Sequence, residues 1–377
     1  MKATGLRIGL VGPLPPPSGG MANQTLQLAE LLRGEAAIVE LIQINPPYRP
    51  HWISKFKGIR AAFRLLPYLT RLWFCAGKVQ LFHVMANSGW SWHLFAAPAV
   101  WIARIRGKPV IINYRGGEAD AFFDKAFFWV KPTLARADAI IVPSGFLEAV
   151  FGKRDFSTSV VPNIIDLSRF TTKIAAKTRS APPTEFPHVI VTRNLEAIYD
   201  NATAFRAFHI LTRTFPAARL TVAGSGPERG ALEQLASELG IIDAVTFTGR
   251  MENERIGALY HDADVMINPS LADNMPISIL EALASGVPVV STNVGGVPYL
   301  VEHDKTGFLV PPRDPHAMAE AVLALLNDEQ KARRLSLAGA ESVQCYTWPH
   351  VRDRLFSVYE KVLAASGKTV HDEVKVK

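Results

Sequence analysis

Short apolar runs recur along the chain, and most are followed by a segment whose apolar positions fall at helical spacing. In the first half the runs are Arg7 to Gly12, Val79 to Val84, Val110 to Tyr114 and Ala139 to Pro143, with helical patterns over Met21 to Leu32, Trp92 to Ala103 and Phe122 to Ala135. A second series begins at His188 to Thr192 and continues through Leu220 to Ala223, Val245 to Thr248, Val265 to Asn268, Val287 to Ser291 and Phe308 to Val310. Continuous apolar strands alternating with helices predict parallel sheets covered on both faces. Thr171 to Pro187, rich in Thr, Ala, Lys and Pro, breaks the two series and reads as a linker. The prediction is an α/β chain of two doubly wound, Rossmann-like domains, 1–175 and 188–345. A helix over 346–365 and a frayed tail over 368–377 complete it. Ligands of such sheets bind beyond the carboxyl ends of the strands, so a substrate is expected in a cleft between the domains.

Composition changes this picture little. A chain of 377 residues exceeds what one core usually supports, and 48% hydrophobic with 20% charged residues is ordinary for a globular protein. The longest apolar run, Leu94 to Ala103, contains Pro98 and is about half the roughly 20 residues of a membrane-spanning helix. Cys75 and Cys345 form no CxxC or Cys/His cluster, which points away from a disulfide framework or a zinc site and toward a reducing cytosol. Charge is more informative. Residues 1–170 carry 20 Lys+Arg against 10 Asp+Glu, and the rest 21 against 24, so the net +7 arises in the first half. The stretch 51–78 sets Lys55, Lys57, Arg60, Arg64 and Arg71 among Trp52, Phe56, Phe63, Trp73 and Phe74, with no acidic residue. It reads either as an interfacial amphipathic segment facing an anionic membrane surface or as a core helix with a solvated basic face; Pro67 is expected to interrupt any long helix there. No recognition motif accompanies the charge, so nucleic acid is not an expected partner.

The segment Asn268 to Val290 carries the chemistry. A strand delivers Asp273 on a loop, Pro276 opens a helix, and Glu281 lies about one and a half turns in. Backbone N–H groups at such a helix start suit a diphosphate, and two carboxylates can accept hydrogen bonds from sugar and ribose hydroxyls. The plainer alternative is a capping Asp and a solvated Glu. Gly19-Gly20 after the first strand and Gly295-Gly296 after Val289 to Thr292 allow backbone to approach a ligand, or simply make turns.

Taken together, Asp273, Glu281, Gly286-Val287-Pro288-Val289-Val290, the Gly12 to Gly20 loop and the turn Val161-Pro162-Asn163-Ile164-Ile165-Asp166 resemble the family 4 glycosyltransferases, retaining enzymes of the GT-B fold. The resemblance implies a donor site formed by Gly19, Gly20, Arg193, Asn194, Gly224, Gly226, Arg250, Asp273, Asn274, Met275, Pro276, Ile277 and Glu281. Arg193 would bind the donor diphosphate, and Asp273, Glu281, Arg193 and Arg115 would serve catalysis. Several positions depart from the family pattern: Asp273 takes the place of the usual first Glu and Leu283 that of a Met. The expected phosphate-binding Lys is replaced at Tyr199-Asp200, and Arg115 stands where many relatives have a His. Arginine cannot act as a general base, so its expected task is to neutralise an anionic acceptor or leaving phosphate.

Two further motifs are set aside. Asp262-Ala263-Asp264 spells a metal-binding Asp-x-Asp but precedes a strand, and no metal is expected. Gly224-Ser225-Gly226-Pro227-Glu228-Arg229-Gly230 resembles a dinucleotide fingerprint with its last spacing one residue too long, so a backbone contact to a nucleotide sugar is the better reading. What the resemblance implies is metal-independent, cofactor-free transfer of a hexose-type sugar from a nucleotide sugar, most often UDP-linked. The acceptor would be a glycan or lipid-linked intermediate of cell-envelope polysaccharide synthesis, on the cytoplasmic face of a membrane. Alternatives are a nucleotide-sugar epimerase of the same fold, or a catalytically weak membrane scaffold.

Overall fold

The computed structural model describes residues 4–16, 19–47, 59–170, 186–251 and 253–367. The chain divides into two units, Met1–Ile164 with Trp348–Lys377, and Ile165–Thr347. The division falls within the Val161 to Asp166 turn, short of the expected linker. Residues 171–185 of that linker and the tail 368–377 lie outside the described residues, as do 51–58 of the basic aromatic stretch.

The first unit holds a parallel sheet of β1 (Arg7–Gly12), β2 (Ile38–Gln43), β3 (Leu81–Ala86), β4 (Val110–Tyr114), β5 (Ala139–Val142) and β6 (Ser159–Val160) in the order β2-β1-β3-β4-β5-β6. Its helices are α1 (Gly20–Gly34), α2 (Ile59–Cys75), α3 (Ala97–Ile105, entered by a π turn at Trp92–Ala96), α4 (Ala119–Leu134) and α5 (Gly145–Gly152). The apolar strands supply two cores because their successive side chains point to opposite faces. Phe82, Val84 and Ile112 pack with Leu72, Val100, Phe123 and Phe151 on one side. Leu10, Leu81, Met85 and Ile111 pack with Leu28, Val351, Leu355 and Tyr359 on the other. The final helix, α12 (Trp348–Ala365), therefore closes a face of the first unit.

The second unit holds β7 (His188–Val191), β8 (Arg219–Val222), β9 (Val245–Phe247), β10 (Val265–Asn268), β11 (Val289–Thr292) and β12 (Phe308–Val310), all parallel, in the order β12-β11-β10-β7-β8-β9. Counted from β7, this is the 3-2-1-4-5-6 order of the Rossmann sheet. Helices α6 (Asn201–Thr212), α7 (Arg229–Glu238), α8 (Asn253–Asp262), α9 (Ile277–Ala284), α10 (Pro315–Leu326) and α11 (Glu329–Ser342) complete it. Strand order reverses between β7 and β10, and ligands of such sheets bind at that reversal.

One strand carried no expectation, and one local expectation is corrected. Strand β2 carries only a partly buried pattern at the sheet edge and had no clear signal. Pro67 does not interrupt α2, which runs through it.

Candidate active site in the second unit

The strand reversal defines the site. Strand β7 ends just before Arg193, and β10 ends at Asn268 before the loop bearing Asp273. The Arg193 guanidinium pairs through Nη2 with the Asp273 carboxylate, and its Nη1 donates to Ser278 Oγ at 3.3 Å. The ring of Tyr199 lies under the guanidinium, 4.1 Å from its central carbon. Tyr199 thus occupies the place of the expected Lys as a cation–π platform for Arg193. Arg193 Nε is buried and has no hydrogen-bond partner among the described residues, an uncommon and costly state for a buried donor.

Asp273 is held on three sides. Its other carboxylate oxygen accepts from Asn274 N–H at 2.8 Å, and its carbonyl accepts from Gly296 N–H at 2.8 Å. Gly295 makes this approach possible: it sits at φ +53°, and a Cβ there would come within 2.2 Å of the Asp273 carbonyl oxygen. The expected anion-receiving role of Gly295-Gly296 thus gains a second explanation, the seating of Asp273. Gly224 and Gly226 have a similar one. A Cβ on either would lie 1.9 Å or 2.2 Å from the carbonyl oxygen of Arg193 or Leu195, so both glycines let the loop after β8 pack on the loop after β7. Their absent side chains face protein backbone, and this packing accounts for them without a ligand.

Pro276 (φ −65°, ψ 120°) is the N-cap of α9, one residue earlier than a first helical position. Intrahelical bonding starts with Ile279 N–H to the Pro276 carbonyl at 3.2 Å, so the N–H groups of Ile277 and Ser278 precede the ladder. Asn274, Met275 and Pro276 are buried while Ile277 is half-buried.

Glu281, one turn into α9, accepts from Tyr260 Oη at 3.1 Å. Tyr260, on α8, is fully buried and also bonds Thr192 Oγ1 at 2.8 Å. Burial raises the Glu281 carboxyl to about 7, against the opposing pull of the Tyr260 hydrogen bond and the charges of Arg169 and Arg193. Burial likewise raises Tyr260 well above the usual phenol range, with Glu281 adding to it. Asn194 is drawn to Glu196 and Asn201, and Arg250 is an exposed residue after β9.

The Asp262-Ala263-Asp264 motif is structural. Asp264 accepts from the backbone N–H of His188 at 2.9 Å, and Asp262 pairs with His188 and Arg219, tying α8 to the starts of β7 and β8. Among the described residues no group of three His, Cys, Asp or Glu side chains is arranged to hold a metal.

The remaining expected site residues lie in the first unit. Gly19 precedes α1 with open space at its Cβ, and Gly20 begins the helix. Arg115 follows β4 and is half-buried. Its Nε donates to Asn113 Oδ1 at 3.0 Å, and its Nη1 bonds Asn163 Oδ1. Burial lowers the Arg115 pKa to about 10, which leaves it charged at neutral pH. Because Asn113 Oδ1 accepts from Arg115, Asn113 Nδ2 is the donor to His83 Nε2 at 2.9 Å. His83 then carries its proton on Nδ1 and donates to Tyr359 Oη at 2.8 Å. The Arg115 charge therefore sets the direction of a chain running through β4 and β3 to α12. His83, buried and near that cation, is lowered to about 3 and stays neutral.

Residues missed in the sequence are Tyr260, Ser278, His83 and Tyr359, while the sequence marks Tyr199 only as the replacement of a Lys and not as a support for Arg193. A signal existed only at Tyr199, where an aromatic residue stands in a cation's place.

Comparisons agree with this architecture. The fold is that of the GT-B glycosyltransferases. The solved structure of sucrose-phosphate synthase from Thermosynechococcus elongatus matches with TM-score 0.76 and 22% identity over 96% of this chain and 100% of that one. HepE from Anabaena, solved with UDP and glucose, matches with TM-score 0.74 and 17% identity over 94% and 99%. Residues 173–342 match the family described as glycosyl transferases group 1, which spans the strand reversal and every second-unit site residue named above. Glycogen synthase of Mycobacterium tuberculosis is 28% identical over 283 residues, 71% of this chain, and the chain spans 66% of that relative's length.

Proposed function

We propose that the protein is a retaining glycosyltransferase that moves a hexose-type sugar from a nucleotide sugar, UDP-linked as in HepE, to a glycan or lipid-linked acceptor of the cell envelope. One observation carries the reading: a largely buried guanidinium, whose buried Nε–H has no partner among the described residues, stands beside a helix start at the strand reversal of a Rossmann sheet. That arrangement suits a diphosphate.

In the proposed reaction the bond from the sugar C1 to the diphosphate oxygen breaks, and its electron pair leaves with the diphosphate. Arg193 and the N–H groups of Ile277 and Ser278 stabilise that charge, in place of a divalent cation. The acceptor oxygen bonds to C1 on the same face, and its proton passes to the departing phosphate oxygen. Glu281, with Tyr260 behind it, accepts hydrogen bonds from donor hydroxyls. Asp273 orients Arg193, and Arg115 offers a cation to an anionic acceptor. The basic, aromatic composition of the first unit supports work at an anionic membrane on the cytoplasmic side.

The test is nucleotide release from UDP-, GDP- and ADP-sugars. Arg193→Ala is expected to lower turnover roughly a hundredfold to thousandfold, the usual loss for one oxyanion donor. Turnover unaffected by that change would refute the site, and turnover abolished by EDTA would refute the metal-free mechanism.

A further inference from the structure

The structure assigns a membrane-docking face to the outer surfaces of α2, α3 and α4, which joins the α2 part of the 51–78 stretch singled out in the sequence to two further helices. These helices are consecutive neighbours in the first unit. They expose large apolar side chains in a set: Phe63, Leu66, Trp73 and Phe74 on α2, Trp101 and Ile105 on α3, Phe128 and Trp129 on α4. Phe74, Ile105, Phe128 and Trp129 are 67–78% exposed. Scattered surface apolar residues need no explanation, but a contiguous group of this kind marks an interaction site.

Side-chain contacts join the three helices into one face. The Arg106 guanidinium, just past α3, lies 4.7 Å over the Trp73 ring of α2. Arg136, just past α4, lies 3.9 Å over the Trp101 ring of α3, and the Trp101 indole N–H donates to Thr133 of α4 at 3.0 Å. Phe128 and Trp129 pack edge to face with centroids 5.1 Å apart.

The charge on these helices selects the occupant. Arg71, Lys78, Arg104, Arg106, Lys125 and Lys131 are all exposed on or beside the same helices. Among the described residues only Arg104 of these six has a carboxylate partner, Asp138 at 2.8 Å. Asp120 and Asp124, at the start of α4, are held by Arg154. A second copy of this chain in a two-fold contact would set cations against cations. An anionic bilayer answers both features: indole and phenyl rings settle at the headgroup level while Lys and Arg reach lipid phosphates. No described helix is long and apolar enough to cross a membrane, so the contact is a surface one. The inference rests on the transferase reading only for its purpose, which is to bring the enzyme to a lipid-linked acceptor.

The full chain is to be sedimented with phosphatidylcholine vesicles with and without phosphatidylglycerol, at low and high salt. The expected result is binding to the anionic vesicles at low salt, weakened by high salt. Arg71→Glu with Lys131→Glu should weaken partitioning by roughly thirtyfold or more, at about fivefold per cation. Phe128→Ser with Trp129→Ser should abolish binding while leaving melting and soluble-donor turnover unchanged. Absence of binding at low salt overturns the proposal, as does binding that survives both variants. A dimer in solution that either variant dissociates would identify the face as a contact between copies, which also overturns it. Donor turnover in solution is read separately, so a failed transferase reading and a failed membrane face give different results.

Discussion

Glu281 should cost the unliganded protein stability at neutral and higher pH, and Glu281→Gln should recover it while impairing the enzyme. The folded state raises this carboxyl from 4.5 to about 7, chiefly by burial. Between those values the folded chain keeps a proton that the unfolded chain has released. Stability from this group is therefore greatest below about pH 4.5, falls as pH rises, and levels off above about 7. At 1.36 kcal/mol per pH unit the loss is at most about 3 kcal/mol. Gln does not titrate, and its amide oxygen can still accept from Tyr260. For the second unit each kcal/mol corresponds to roughly 2–4 °C in melting temperature. The variant should thus melt several degrees above wild type near pH 8 and close to it near pH 5. Thermal melts at the two pH values check this. An equal shift at both, or none near pH 8, would refute the claim that burial of this carboxylate penalises its charged form. With donor present the order should reverse, because hydroxyl donors favour ionised Glu281. The kcat/KM of the wild type should then rise with pH up to about 7 and flatten.

Tyr199→Phe should keep the ring beneath Arg193 and leave donor KM near wild type, whereas Tyr199→Ala should raise it by roughly 2- to 30-fold, the range of a cation–π contact, in nucleotide-release kinetics. Gly224→Ala should displace the Arg193 loop, and is expected to lower both melting temperature and turnover, since its Cβ has only backbone to meet. Tyr359→Phe should leave His83 Nδ1–H without a partner and cost about 1–3 kcal/mol in a denaturant titration.

What was legible in the sequence was what alternation and backbone demand impose. Strands such as Arg7–Gly12, Val110–Tyr114 and Val265–Asn268 are apolar runs buried on both faces, and nothing competes with that signal. Edge strand β2 and the Pro-containing α2 were obscured because burial on one side, and packing of Leu72 and Tyr68 into the core, outweigh local propensity. Glycines at 224, 226 and 295 were recognisable as close approaches, but the sequence could not say whether a ligand or another loop comes near. Tyr260 and His83 were hidden because their roles arise from pairing across helices and strands distant in the chain, with Glu281 on α9 and with Tyr359 on α12.

The geometry also revises the division of labour between the two carboxylates that first drew notice. Asp273 and Glu281 looked equivalent, a pair of acceptors for donor hydroxyls. In the structure Asp273 spends one oxygen on Arg193 and the other on a backbone N–H, and its carbonyl is bound as well. A carboxylate so committed is poorly placed to exchange partners with a substrate, because each lost bond leaves a nearly buried donor unsatisfied. Its contribution is to hold Arg193 so that the guanidinium, resting on Tyr199, keeps one N–H for an anion. Among the described residues the Glu281 carboxylate has only Tyr260 as a hydrogen-bond partner and keeps acceptor capacity, at the cost of a desolvated charge. Replacing Asp273 by Asn should therefore act through Arg193 and weaken free UDP and the sugar-bearing donor alike, whereas replacing Glu281 by Gln should act through donor hydroxyls and weaken the sugar-bearing donor more than free UDP; calorimetry with the two ligands separates these roles, and equal losses in both variants would refute the assignment.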